Sequence, residues 1–216
     1  MDVFVIANQK GGVGKSTIAA NLAVAAEAAG KGPAVLIDTD PQGTLSAWWN
    51  ARKSETPAFS PTTIEKLPGK LRDLEAAGYA VAVIDTPPAI TKAIRTVVAT
   101  AHLVVIPVRP SPHDLRAVGS TVELVQGTGK PFVFALTQAK ANTRLTVSGV
   151  ASLSAHGVVA PAIIHDRVDY AASMIDGRTV QETDPKGRSA VEMAELWKFV
   201  QARIAKSTKA RKVANR

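Results

Sequence analysis

A glycine-rich turn that ends in a lysine and two hydroxyl residues can hold a chain of phosphates, and residues 8–17, NQKGGVGKST, have that composition. Gly11, Gly12, Val13 and Gly14 would turn backbone N–H groups onto phosphate oxygens without side-chain clash. Lys15 would reach the β- and γ-phosphates, Ser16 would place its hydroxyl on Mg²⁺, and Thr17 would lie near the α-phosphate. One position departs from the usual G-x-x-x-x-G-K-[ST] spacing: Gln9 stands where the first glycine belongs, and a second lysine, Lys10, follows it. Two acidic groups complete the chemistry. LIDTDPQG supplies Asp38 and Asp40, and VAVIDTPP supplies Asp85. Asp85 is expected to hold Mg²⁺ through a water, Asp38 to support the metal shell, and Asp40 to orient an attacking water. A lone aspartate at a strand end is as readily a turn or helix cap. Three of them after GKST point instead to metal-assisted phosphoryl transfer.

These groups need a frame that brings strand ends and a helix start together. Continuous apolar, β-branched runs recur at 3–7, 34–38, 81–85, 103–108 and 131–136, the pattern of parallel strands covered on both faces. Helix-length segments separate them, the first being the Ala-rich STIAANLAVAAEAAG with Gly30 as its stop. Right-handed crossovers then give a three-layer α/β fold with a mostly parallel, doubly wound sheet, and the GKST turn after its first strand makes it a P-loop fold. Ligands gather at the C-terminal strand ends of such a sheet, where Asp38 and Asp85 fall. Residues 51–70 are read as an irregular surface excursion before a helix leading to Tyr79, and residues 176–189 as a loop. A last helix starts at Ser189, with Met193, Trp197, Val200 and Ile204 as its core stripe. Glu192, Glu195, Lys198, Arg203 and Lys206 are expected on its other faces. One domain, 1–206, is followed by a basic, loosely ordered tail, 207–216.

Composition narrows the chemistry further. With 216 residues, 46% of them hydrophobic, the chain fills one well-buried domain. The absence of cysteine excludes disulfides, thiolate metal sites and cysteine nucleophiles, and the four histidines are not paired at metal-ligand spacing. No signal peptide is seen, and no apolar run reaches the roughly 18 residues that span a bilayer, so a cytoplasmic protein is expected. Of the net charge of +8, +7 falls from Lys186 onward and +1 on residues 1–185. Such asymmetry fits a polyanion partner, the alternative being a solvated tail.

In combination, KGGVGKST with its early Lys10, DTDPQG and VIDTPP resemble the deviant Walker A ATPases of the ParA/MinD family. The run LVVIPVRPSPHDLRAVGS is similar to the nucleotide-base region of small ParA proteins, and the resemblance extends from Val3 to about Val200. No helix-turn-helix precedes the first strand, so the likeness is to the short ParA subtype used in plasmid partition. The resemblance implies an ATP-sandwich homodimer in which Lys10 of each copy touches its partner's phosphates. A cation on developing negative charge in a dry interface stabilises the transition state, and an arginine finger supplied in trans is worth on the order of 10³–10⁵ in rate. The resemblance also implies slow ATP hydrolysis, stimulated by DNA and by a ParB-like or cargo-adaptor partner. ATP is favoured over GTP because TQAK at 137–140 lacks the aspartate that reads guanine. Two readings stay open for Pro110, which either packs against adenine or terminates a strand.

Some family members bind membranes through a C-terminal amphipathic helix and others bind DNA nonspecifically. After Ile204 only Val213 is apolar and sizeable, too little for a membrane-surface helix. Lys186, Arg188, Arg203, Lys206, Lys209, Arg211, Lys212 and Arg216 instead form a candidate strip for double-stranded DNA, with Lys92 and Arg95 adding to it. The expected function is a nucleoid-associated ATPase that positions or segregates a plasmid or other cargo. The alternatives are a MinD-like membrane-associated ATPase, a metabolic ATPase on the same fold, and a noncatalytic DNA-binding scaffold. All of them keep a nucleotide in the phosphate loop, the scaffold only for folding. Lys15→Ala should abolish ATP binding in titration calorimetry, and unchanged affinity would remove the phosphate-loop assignment.

Overall fold

A computed structural model of the protein describes residues 1–89 and 91–214, and side chains within residues 1–206. All five apolar runs become strands: β1 (Asp2–Ile6), β2 (Ala34–Asp38), β4 (Val81–Asp85), β5 (Leu103–Val108) and β6 (Phe132–Leu136). A sixth, β3 (Ala58–Phe59), lies inside the stretch read as irregular. Two residues are too few to show a period, and Pro57 and Pro61 flank them, as suits an edge position. The strands form one sheet in the order β3-β2-β4-β1-β5-β6, and every pairing is parallel. Between the strands run α1 (Lys15–Ala28), α2 (Thr44–Asn50), α3 (Leu67–Ala76), α4 (Lys92–Ala99) and α5 (Pro112–Gln126). After β6 come α6 (Arg144–Ser154), α7 (Val168–Ser173) with a 3₁₀ turn (Met174–Asp176), α8 (Val180–Thr183) and α9 (Arg188–Ala214).

Side chains alternate across this sheet, and both faces are dry. Phe4, Ile6, Leu36, Val83 and Val105 join α1 and α9 in one core layer. Val3, Val5, Val35, Ile37, Ile84 and Val104 join α3, α4 and α5 in the other. Double coverage is the reason the strand sequences read as unbroken apolar runs.

The stripe expected on the last helix is buried as a unit, Met193, Trp197, Val200 and Ile204 each being no more than 4% exposed. Trp197 packs its ring 5.6 Å from that of Phe4. Glu192 departs from expectation: it is buried rather than on an outer face. It borders the stripe beside Met193, and a cluster of donors from the 165–170 segment faces it there. The 176–189 stretch is also more ordered than a loop, because Thr179 and Glu182 close a capping box on α8. Helical backbone continues past Lys206 to Ala214. Among the described residues no helix is long and apolar enough to cross a membrane.

Candidate active site

Strand parity decides where the acidic groups point. Asp38 shares a face with Ala34 and Leu36, and Asp85 with Val81 and Val83, so both project into the layer that holds α1. The two aspartates are also direct partners in the β2–β4 register. α1 starts beside them, at the end of β1, where the strand order reverses.

The start of α1 is left open. Gly14 occupies its N-cap position at φ 86°, a left-handed conformation that favours glycine, and no side chain caps the helix. Thr91, Ser111 and Thr143 do cap α4, α5 and α6 through their side-chain oxygens. The first-turn N–H groups of α1 therefore keep their hydrogen-bonding capacity for an anion, with the helix dipole behind them.

Ser16 donates its hydroxyl to Asp85 Oδ2 at 2.5 Å. Asp85 is 1% exposed, and burial pushes its carboxyl up to about 7. The charge of Asp38 adds to that shift, while Ser16, Lys15 and the Thr86 amide oppose it. Lys15 is also buried, which lowers its pKa against the attraction of Asp85 and Asp40, and its Nζ donates to the Lys10 carbonyl at 2.9 Å. Two hard oxygen donors, one of them a water-shielded carboxylate, fit Mg²⁺, which takes one or two protein groups together with phosphate oxygens. Among the described residues no group of three or more His, Cys, Asp or Glu side chains could hold a metal alone. A cation here depends on oxygens from a ligand.

Asp38 and Asp40 shape the neighbouring loop. Asp38 Oδ1 accepts from the Asp40 amide at 3.0 Å, and Oδ2 accepts from the amide and hydroxyl of Ser46, each at 2.9 Å. Asp38 thus supplies the N-terminal cap that Gly43 cannot give α2. Asp40 Oδ1 accepts from the Gln42 amide at 3.0 Å in a local turn of its own.

Four residues outside the expected set fasten the phosphate loop. Asn8 donates from Nδ2 to the Pro107 carbonyl at 2.7 Å and accepts from the Lys10 amide at 2.9 Å. Gln9 donates its side-chain amide to the Ala117 carbonyl and the Ser120 hydroxyl on α5. From the other side, Thr137 donates to the Val13 carbonyl at 2.9 Å and Gln138 to the Gly12 carbonyl at 2.7 Å. The missing glycine is therefore an anchor. Gln9 carried one sequence cue, its displacement of that glycine, whereas the role of the TQ pair depends on contacts more than 120 positions away. Lys10 extends from this braced turn. Among the described residues its ammonium makes no hydrogen bond or ion pair, although its charge acts on Asp114.

Beside the loop is a cavity of about 200 Å³ between Gly14, Thr17 and Ile18, the Thr137–Gln138 pair and the 164–171 segment. A more open hollow of about 910 Å³ runs from Pro61 to Asp73, but neither the phosphate loop nor Asp38, Asp40 or Asp85 lines it. Pro110 lies outside both: it is buried, and its ring packs against Gly149 of α6.

The basic residues are not gathered in one patch. Arg203 and Lys206 are neighbours on α9, but Lys186 and Arg188 stand at its other end, about 27 Å away at 1.5 Å rise per residue. Lys92 and Arg95 sit on α4, in the opposite core layer, so within one chain they do not extend the α9 surface as expected. The side chains of Lys209, Arg211 and Lys212, and Arg216 as a whole, lie outside the described residues.

An uncapped helix start, a buried lysine and a Ser–Asp pair at the switch point of a parallel sheet define a phosphate-loop nucleotide-binding protein. Residues 4–180 match the model of the CobQ/CobB/MinD/ParA nucleotide binding domain, CbiA, and the chain belongs to that family of nucleotide-binding ATPases. It is 43% identical over 122 residues to the maintenance of carboxysome distribution protein A of Gloeobacter kilaueensis, a match over 56% of this chain and 55% of that one. The protein of the same name from Halothiobacillus neapolitanus is 29% identical over 196 residues, covering 87% of this chain and 90% of the relative. Among solved structures, the septum site-determining protein MinD of Pyrococcus horikoshii, complexed with Mg-ADP, superposes with a TM-score of 0.76 at 15% identity, over 92% of this chain and 95% of that one.

The raised Asp85 pKa carries a testable sign. As pH falls below about 7 the folded carboxyl takes a proton, while the unfolded one stays ionised to about 4, so the penalty of its buried charge fades over that range. Asp85→Asn keeps an acceptor for Ser16 and removes the charge. At pH 8 the nucleotide-free variant should melt higher than the unmodified protein by about 5 °C, and the gap should close toward pH 4. Its ADP binding should lose its Mg²⁺ dependence in calorimetry.

Proposed function

We propose that the chain is an ATP-dependent switch that positions an intracellular cargo. Two copies close face to face around two ATP molecules, and Lys10 of each neutralises charge on the nucleotide of the other. The observation that carries this reading is the braced loop mouth. Gln9 and Gln138 fix the turn from both sides, while among the described residues the Lys10 ammonium makes no hydrogen bond.

Each remaining group then has a task. Lys15 leaves the Lys10 carbonyl for the β- and γ-phosphates, a short move for a buried, partly desolvated ammonium. Ser16 and Asp85 hold Mg²⁺, which when bound offsets phosphate charge. Asp40 orients the attacking water, and Asp38 keeps the Asp40 loop in place through its two-sided cap. The cavity beside Gly14 and Thr17 receives the nucleoside, adenosine by preference, since the TQAK turn carries no aspartate for guanine.

Arg203, Lys206 and the basic residues after them supply sequence-independent contacts to duplex DNA, and dimerisation doubles their number. A partner that carries the cargo speeds hydrolysis and releases the dimer. The names of the two curated relatives favour a carbon-fixing compartment as that cargo over a plasmid.

With MgATP, the unmodified chain should double its scattering mass and release phosphate slowly. Lys10→Ala should stay monomeric and lose turnover by about 10³-fold, the scale of a charge supplied in trans. A variant that still pairs and hydrolyses ATP normally would end the sandwich reading. Arg203→Glu/Lys206→Glu should weaken ATP-dependent duplex binding about tenfold and flatten its salt dependence. An unchanged salt slope in fluorescence anisotropy would move the DNA surface elsewhere.

A further inference from the structure

One wall of the nucleoside cavity is held by a residue that belongs to no motif. His165, Arg167 and Tyr170 line the cavity, yet they sit on irregular backbone and on α7, only six residues long. Local structure does not fix their side chains. One carboxylate does. Glu192 Oε1 accepts from His165 Nδ1 at 2.7 Å and from Arg167 Nε and Nη2 at 3.0 and 2.8 Å. Glu192 Oε2 accepts from the His165 amide at 3.1 Å and the Tyr170 hydroxyl at 2.9 Å. Glu192 is 8% exposed and comes from α9, so it reaches the wall from a separate, long element packed on the core.

We propose that Glu192 is the positioning residue of the nucleoside half of the site, holding the His165–Tyr170 wall in the shape that receives base and ribose. The proposal rests on the nucleotide reading above. Burial pushes the Glu192 carboxyl up, but the bonds from Arg167, His165 and Tyr170 outweigh it and keep the group below its ordinary range. The carboxylate is thus an acceptor only, and five donors converge on it, the Tyr170 hydroxyl lying also 3.1 Å from the Ser189 carbonyl. Neutralising it weakens charge-assisted bonds to a guanidinium and leaves the wall without its common anchor. A generic core brace would disturb the whole domain. Glu192 differs because none of its bonds reaches the phosphate loop, whose braces come from Asn8, Gln9, Thr137 and Gln138.

This separation supplies the test. ADP probes both halves of the site, whereas inorganic tripolyphosphate probes the phosphate loop alone. Titration calorimetry with Mg²⁺ should show Glu192→Gln binding ADP about tenfold more weakly or worse, with tripolyphosphate affinity unchanged. Tyr170→Phe keeps the ring and deletes one donor, so it should give a smaller loss of the same kind. It serves as the second variant should Glu192→Gln fail to fold. Unchanged ADP affinity in these variants would overturn the proposal, and so would equal losses for both probes. If the unmodified chain binds tripolyphosphate and not ADP, the nucleoside assignment itself fails. If it binds neither, the phosphate-loop reading fails with it.

Discussion

The hydrogen bond from Ser16 to Asp85 joins the first turn of a helix to the last residue of a central strand, and the rest of the site is arranged around it. It holds a buried carboxylate beside a buried ammonium, at a helix end that no side chain caps. None of these groups is well satisfied alone. The carboxyl is forced upward by burial, Lys15 rests on a backbone carbonyl, and the first-turn N–H groups wait for acceptors. A polyphosphate with a divalent cation meets all three needs at once. A ligand that meets these needs only in the folded chain stabilises the fold as it binds.

That readiness depends on rigidity brought in from far along the chain. The phosphate loop is short and glycine-rich, so its own conformational preferences are weak. Asn8 and Gln9 tie one rim to β5 and α5, and Thr137 and Gln138 tie the other to the end of β6. Gln138 adopts φ 49° in doing so, an uncommon conformation for a residue with a side chain. Catalytic groups need such support if they are to meet a ligand without reorganising.

Much of this was legible in the residues. Strands buried on both faces announce themselves as unbroken Val, Ile and Leu, and aspartates that end such strands stand out. So did the stripe from Met193 to Ile204, because the helical period is written in residue type. What stayed hidden was long-range or short-lived in sequence. β3 spans two residues. Glu192 looks like an ordinary surface glutamate until the fold delivers His165, Arg167 and Tyr170 to it from more than 20 positions away. Asp38 was visible as a metal-site candidate but not as the cap of α2, since Ser46 comes within its reach only after the loop closes. The capping box at Thr179 and Glu182 was readable from spacing alone. The surrounding Gly, Asp and Pro obscured it.

The outer edge of β6 is screened by the segment that leads to His165 and Arg167. Val158 and Ala160 bond to Phe134, and Ile164 to Leu136, so residues 158–164 follow the strand with Pro161 interrupting the run. At the opposite edge β3 is only two residues long. Among the described residues neither margin offers an extended ladder of unpaired amides on which another polypeptide could grow a continuous sheet. Protection from amyloid-like stacking is thus built into the same backbone that leads to His165, Arg167 and Tyr170. Strand-on-strand pairing between copies is thereby disfavoured at both margins.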